Sequence, residues 1–200
     1  LEKNVRNFVL LSTDKAVYPI NAMGFSKAMA EKIVIAKSRS LSKKKLKLTV
    51  TRYGNVIASR GSVVPYFIDQ AKKNKPITLT DNRMTRFFMT LDEALDLISY
   101  AFAKGKHGSI YVKKCNTVKI EDVAQVIKSK LKSKSKIVTI GLRHGEKIYE
   151  TLISENEMIR AKQKDGFYQI LQNTKNLNYD IYFSKNRKRK NLLNYSSNNE

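Results

Sequence analysis

The sequence predicts an α/β fold built around a parallel sheet. Two observations carry that reading. Short apolar runs bounded by turn residues alternate along the chain with longer runs of helical spacing, the pattern of consecutive strand–helix units. The first apolar run, Phe8-Val9-Leu10-Leu11, gives way at once to a polar cluster, Ser12-Thr13-Asp14-Lys15, and a helix-like segment follows. Polar groups at the carboxyl end of a parallel strand are where open α/β sheets place ligands.

Residues 7–12 read as a buried parallel strand. A helix is predicted over Ala22 to Ser38, with Ala28, Met29, Ile33, Ile35 and Ala36 near helical spacing. Leu46 to Arg52 alternates Leu46, Leu48 and Val50 and reads as a second strand. Gly54 and Gly61 mark a loop over 53–61, and Val63 to Lys73 reads as a short helix with Pro65 in its tolerant first turn. Pro76 to Thr80 is a short strand. Leu91 to Ala103 is an amphipathic helix whose first turn holds Asp92 and Glu93, where the helix dipole favours them. Gly105 and Gly108 break the chain before a strand at Ser109 to Val112. A helix over Ile120 to Leu131, a strand over Ile137 to Ile140 and a helix over Gly145 to Leu152 complete the series. Beyond about residue 160 the pattern weakens, and 184–200 reads as a disordered basic tail.

Composition narrows the function classes. The 200 residues carry a formal net charge of +22, with 42% hydrophobic residues, close to the globular norm. Lysine outnumbers arginine about three to one, and the charge falls in patches at Lys37 to Ser40, Lys43 to Lys47, Lys128 to Lys136 and Lys185 to Lys190. That dispersal reads as compositional bias, so no specific nucleic-acid partner is expected; a positive field would still steer anionic substrates. No apolar run approaches the ~20 residues that span a bilayer, and no secretory leader pattern is present. Cys115 is the single cysteine, which excludes an internal disulfide and fits a cytoplasmic setting. Neither His107 nor His144 belongs to a ligand set with metal spacing, so no metal is expected. The eight glycines nowhere form G-x-G-x-x-G, and no Walker-type phosphate loop occurs. The chain opens on Leu1, which reads as a piece of something longer.

Four segments carry a family resemblance: STDKAVYPINAMGFSKAMAEK, TRYGNVIASRGSVVPYFIDQ, DNRMTRFFMTLDEALDLISYAF and GLRHGEKIYETLIS, with LNYDIYFSK further on. The chain resembles extended short-chain dehydrogenase/reductases that modify nucleotide sugars, and within them the CapD/CapE-type polysaccharide-biosynthesis group, which includes UDP-N-acetylglucosamine 4,6-dehydratase/5-epimerases. The resemblance implies the C-terminal part of a Rossmann-type fold plus a small α/β substrate-binding region. On that basis 1–75 would be the second half of a dinucleotide-binding domain. Residues 76–155 would be a mixed substrate-binding region with a strand returning to the main sheet near 109–113, and 156–200 a C-terminal extension. The glycine-rich half of a full member, starting before about the fifth strand, has no counterpart in the sequence. A complementary N-terminal half is therefore expected as a partner, along with a UDP-sugar substrate and a homo-oligomer in the full-length family.

The implied chemistry is transient oxidation at the sugar C4 with NAD or NADP as cofactor. By resemblance, Lys27 anchors the nicotinamide ribose, with Ser12 and Asn55 also at the cofactor. Lys15 is the base at C5, Asp14 the acid at the C6 oxygen, and Thr13 the partner of the C4 oxygen. Met23 stands where a tyrosine is usual; a thioether carries no proton and is a weak acceptor. That departure tilts the expectation towards a dehydratase, whose chemistry needs the Asp14–Lys15 pair, over a 4-epimerase. An inactive or split-gene fragment is the remaining reading. Asn55, Ser62 and Val63 are expected at the substrate, with Arg60, Arg86 and Arg143 as pyrophosphate partners, since guanidinium forks suit phosphate oxygens. Glu146 is the expected acceptor for ribose hydroxyls.

Overall fold

The computed structural model describes residues 4–41, 46–172 and 193–198. Its main sheet has five strands in the order β1-β2-β6-β11-β10, formed by β1 (Asn7–Thr13), β2 (Lys47–Tyr53), β6 (Ser109–Lys113), β11 (Phe167–Ile170) and β10 (Ala161–Lys164). The first three strands are parallel, as the strand–helix alternation predicts. The last two run antiparallel, so the sheet is mixed and draws on all three segments of the chain. The β10–β11 hairpin turns at Asp165-Gly166, both with positive φ, the geometry that suits the right-handed twist of the flanking strands.

Helices cover both faces of the parallel edge. Alternate residues of β1 point to opposite faces. Leu10 packs with Val34 and Ile35 of α1 (Ala22–Ser40), whereas Val9 packs with Leu97 and Ala101 of α3 (Leu91–Lys104). A capping box closes the start of α3, with Thr90 accepting from the Glu93 amide and Glu93 from the Thr90 amide. α1 is arranged less conventionally. Its apolar residues Phe25, Met29 and Ile33, four apart, all face outward, while Glu31 faces inward. The helix therefore presents a carboxylate to the interior, and the reason lies in β2, described below.

The remaining elements stand beyond the carboxyl ends of the parallel strands. β3 (Asn55–Val56) pairs with β5 (Thr85–Met89), which pairs with β7 (Asn116–Lys119). β4 (Ile77–Leu79) runs parallel to β8 (Ile137–Thr139). Phe67 and Ala71 of α2 (Val63–Lys72) pack on Ile77, Leu79, and Ala124 and Ile127 of α4 (Ile120–Lys130). Gly54 joins this layer to the main sheet: a Cβ there would stand 2.6 Å from the Phe87 side chain.

Two expectations are corrected. Gly145 to Leu152 is not a helix. Residues 143–150 form an open loop, with Gly145 at φ 82°, and lead into strand β9 (Thr151–Ile153). Positive φ keeps Gly145 out of a right-handed helix, and the Lys147 and Ile148 carbonyls are held by the Arg86 side chain instead of by helical partners. The tail is also not uniformly irregular. Tyr195–Ser196 form β12 against β9, and the Tyr195 ring packs 5.0 Å from Phe87 and 5.3 Å from Tyr168, beyond the short helix α5 (Glu155–Met158). Residues 184–192 and 199–200, the LNYDIYFSK segment and Lys43 to Lys45 lie outside the described residues. No helix among the described residues is long and apolar enough to cross a membrane.

Candidate functional site

The site begins where β1 ends. Thr13 leads into a single 3-10 turn, Asp14–Ala16, and α1 starts six residues later. Asn21 caps α1 by accepting from the Gly24 amide at 2.9 Å, and its own amide donates to the Gly145 carbonyl at 3.1 Å, tying the helix start to the 143–150 loop. Gly24 is required by close approach, because a Cβ there would lie 2.5 Å from the Lys15 carbonyl oxygen. The first turn of α1 thus presses on the backbone of Lys15 and sets Met23 beside it.

Asp14 is wholly enclosed. Its Oδ1 accepts from the Thr13 hydroxyl at 2.7 Å, the Lys15 amide at 2.8 Å and the Lys15 ammonium at 3.0 Å, while Oδ2 has no hydrogen-bond partner. On the other side of Lys15 stands Glu150, also buried, with Oε1 3.8 Å from the ammonium. Burial pushes the Glu150 carboxyl up, and the charge of Asp14 pushes it the same way; Lys15, Arg86 and Lys147 pull it back. Arg86 is lowered by burial, against the nearby charges of Glu150, Asp14 and Glu146. Its guanidinium donates to the carbonyls of Thr85, Lys147 and Ile148 at 2.7 to 3.0 Å, fastening the loop to β5.

Two cavities meet this cluster. One, of about 440 Å³, is lined by Lys15, Met23, Arg86, Glu146, Lys147 and Glu150. The other, of about 740 Å³, is lined by Asn55, Ser62, Val63, Arg86, Arg143 and Glu146 among others. Arg86 and Glu146 stand on the wall of both. Ser62 is the N-cap of α2 without a side-chain cap bond, and its buried hydroxyl has no partner; the same holds for the Asn55 amide oxygen. Among the described residues four buried side-chain atoms lack a hydrogen bond, on Asp14, Asn55, Ser62 and Glu150. Three of these residues line a cavity, and Asp14 is bonded to Lys15, which lines one. Unpaired buried polar groups are costly and concentrate where a ligand completes them.

The other expected site residues sit elsewhere. Lys27 lies one turn beyond Met23 on α1, and its ammonium donates to the Leu11 carbonyl at 3.1 Å, bracing the strand end. Arg60 is exposed and lines neither cavity. Ser12 turns inward: its hydroxyl donates to Glu31. Glu31 and Glu157 are both held by Arg52, whose buried guanidinium donates to the Glu31 carboxylate at 2.6 and 3.1 Å, to Glu157 twice at 3.0 Å, and to the Leu152 carbonyl at 2.7 Å. This explains the inward carboxylate of α1. Burial works against the charge of Arg52, yet the two carboxylates hold its pKa above the ordinary value. Glu157 is pushed up by burial but pulled down further by Arg52 and by Ser154, to about 2.

Sequence reasoning missed Glu150 and the Glu31–Arg52–Glu157 network. Arg52 was legible in principle: it continues the inward alternation Leu48, Val50, and an arginine on that face demands buried carboxylates. Glu150 gave no separate signal inside a segment read as helix. Among the described residues no cluster of three or more His, Cys, Asp or Glu side chains is placed to hold a metal ion.

The model of a family described as polysaccharide biosynthesis protein matches residues 1–172. The chain belongs to the polysaccharide biosynthesis protein family. It is 48% identical over 200 residues to a UDP-glucose 4-epimerase of Rickettsia akari (strain Hartford), covering all of this chain and 59% of that one. Among solved structures it resembles Pen from Bacillus thuringiensis, with 31% identity and a TM-score of 0.86 over the whole chain and 59% of Pen. The UDP-glucose 4-epimerase of Thermus thermophilus, complexed with NAD, shares the fold over 70% of this chain and 53% of its own, with a TM-score of 0.59 at 20% identity. The chain thus spans somewhat over half the length of these relatives. The fold agrees with the expected C-terminal part of a Rossmann-type short-chain dehydrogenase/reductase.

Proposed function

We propose that this chain carries the sugar-nucleotide site of an enzyme that modifies UDP-sugars for polysaccharide biosynthesis, of the UDP-N-acetylglucosamine 4,6-dehydratase/5-epimerase type. The observation that carries the reading is the placement of the unpaired buried polar atoms around two cavities that share Arg86 and Glu146. The larger cavity suits the nucleotide diphosphate. The N-terminus of α2 offers backbone N–H groups and a positive dipole to a phosphate, with the Ser62 hydroxyl ready to donate and Arg143 nearby. Glu146 is placed to accept from ribose hydroxyls. The sugar then points into the smaller cavity, towards Lys15 and Met23.

The residues present fit a nicotinamide cofactor in part. The unpaired Asn55 amide oxygen can accept from a carboxamide, and Lys27 can turn from the Leu11 carbonyl to a ribose hydroxyl. Bound there, the cofactor supplies reversible hydride transfer. The chain's own residues handle protons. Lys15 stands at the cavity wall as base for the sugar C5. Asp14 is enclosed, so its proton traffic passes through the Thr13 hydroxyl and the Lys15 ammonium that it binds. Met23 offers no proton path, which places that role on Thr13 and Lys15.

A second reading, sugar 4-epimerisation, is favoured by the name that the 48% identical relative carries. Incubation of the chain joined to its complementary N-terminal half with UDP-N-acetylglucosamine and NAD separates the two by mass. A dehydratase gives a product lighter by one water; a 4-epimerase gives an isomer of unchanged mass. The proposed type predicts the first, and an isomer alone would overturn it in favour of the second.

A further inference from the structure

The backbone of Glu150 is held firmly, so its carboxylate projects from a fixed point. Its N–H donates to the Ser197 hydroxyl at 3.0 Å, and its carbonyl accepts from the Ser197 amide at 2.9 Å and the Ser196 hydroxyl at 3.0 Å. Ser197 is itself bound to Thr85 of β5. Each wall contributes charge to the carboxylate: Asp14 and Lys15 from the turn after β1, Arg86 from β5, and Lys147 from the loop, with Glu146 lining the same cavity. Lys147 donates to the Val17 carbonyl at 2.7 Å while standing 3.6 Å from Glu150 Oε2. Arg86 is committed to three carbonyls. Among the described residues, Lys15 is the one of these three cations whose side chain meets carboxylates alone, Asp14 on one side and Glu150 on the other.

We propose that Glu150 is a positioning residue of this site: with Asp14 it seats the Lys15 ammonium between two carboxylates at the cavity wall and controls how readily that amine becomes free to act. Two enclosed carboxylates, each with an oxygen left without a hydrogen bond, cost more than folding needs from one lysine. The arrangement makes sense if the lysine must be held in place and poised. The role of Lys15 as the base rests on the function proposed above; the seat itself does not.

The test needs neither sugar nor cofactor. A small amine-acylating reagent attacks only the neutral amine, and mass spectrometry reads its rate at each lysine. In Glu150→Gln one carboxylate charge beside Lys15 is gone, and an opposite charge favours the protonated amine. Labelling of Lys15 at pH 8 should rise by about threefold or more, with the exposed Lys162 and Lys164 unchanged as a control for unfolding. A change at Lys15 of less than about twofold would overturn the proposal. The reciprocal measurement covers the case in which the variant does not fold. Lys15→Met removes a partly exposed side chain, and the ¹³C-carboxyl titration of Glu150 should move to higher pH; an unmoved midpoint would equally overturn the seat. A null result here counts against Glu150 alone, whereas a responsive Lys15 in a protein with no affinity for a UDP-sugar counts against the proposed function alone.

Discussion

Replacing Arg52 by Met should be among the most damaging single substitutions in the chain. The side chain is 2% exposed and makes five hydrogen bonds, four to carboxylates. Methionine fills much of the volume but leaves Glu31 and Glu157 enclosed without a counter-charge. Removing one partner of a buried ion pair costs about 3–5 kcal/mol, because the stranded charge remains. The acid range gives a second measure: holding Glu157 near 2 instead of 4.5 corresponds to about 3 kcal/mol. The lost hydrogen bonds to Glu31 add to this, and protonation of the freed Glu157 carboxyl offsets part, so a loss of about 4 kcal/mol is expected at pH 7. For a chain of this size the melting temperature should fall by roughly 8–16 °C. Urea unfolding followed by circular dichroism measures the loss directly. Arg52→Lys should recover only part of it, since one ammonium cannot span two carboxylates. A loss below about 1 kcal/mol for Arg52→Met would refute the view that this network organises the interior between α1, β2 and α5.

Two further outcomes follow from the same geometry. Glu157 has a folded pKa near 2, below its unfolded value of 4.5, so its contribution to stability is complete above that value and is lost as pH falls towards 2. Wild-type stability should therefore decline across this window, and the deficit of Arg52→Met should shrink in the same range; a parallel decline of both proteins would contradict the assignment. Ser62→Ala removes a hydroxyl that has no protein partner, so stability should hold within about 0.5 kcal/mol or improve. Affinity for a UDP-sugar should drop by roughly tenfold, the worth of one hydrogen bond to a charged group, as read by calorimetric titration.

Much of the fold was legible because its cause is local. The alternation in β2, the first-turn acids of α3 and the turn residues before β6 all report directly on backbone geometry. What escaped depends on distant partners. Met29 and Ile33 have helical spacing but face outward, because the inward face of α1 carries Glu31, paired with Arg52, beside Val34 and Ile35. The Gly145–Leu152 segment has spacing compatible with a helix, yet Arg86 binds the Lys147 and Ile148 carbonyls from another strand and holds the chain open. The Asp165-Gly166 hairpin turn carried a local signal that a fading hydrophobic pattern obscured. At the site, Lys15, Met23, Arg86 and Glu146 were marked by motif and do line one cavity. Glu150 became visible only once its burial and its distance from Lys15 were known.

The most direct test of the sugar-nucleotide site is nuclear magnetic resonance of the isotopically labelled protein during titration with UDP-N-acetylglucosamine. The account predicts saturable shifts at Asn55, Ser62, Val63, Arg143 and Glu146, around the larger cavity, together with Lys15 and Met23 in the smaller one. Shifts confined to the dispersed lysine patches, or none in either cavity at millimolar ligand, would contradict it.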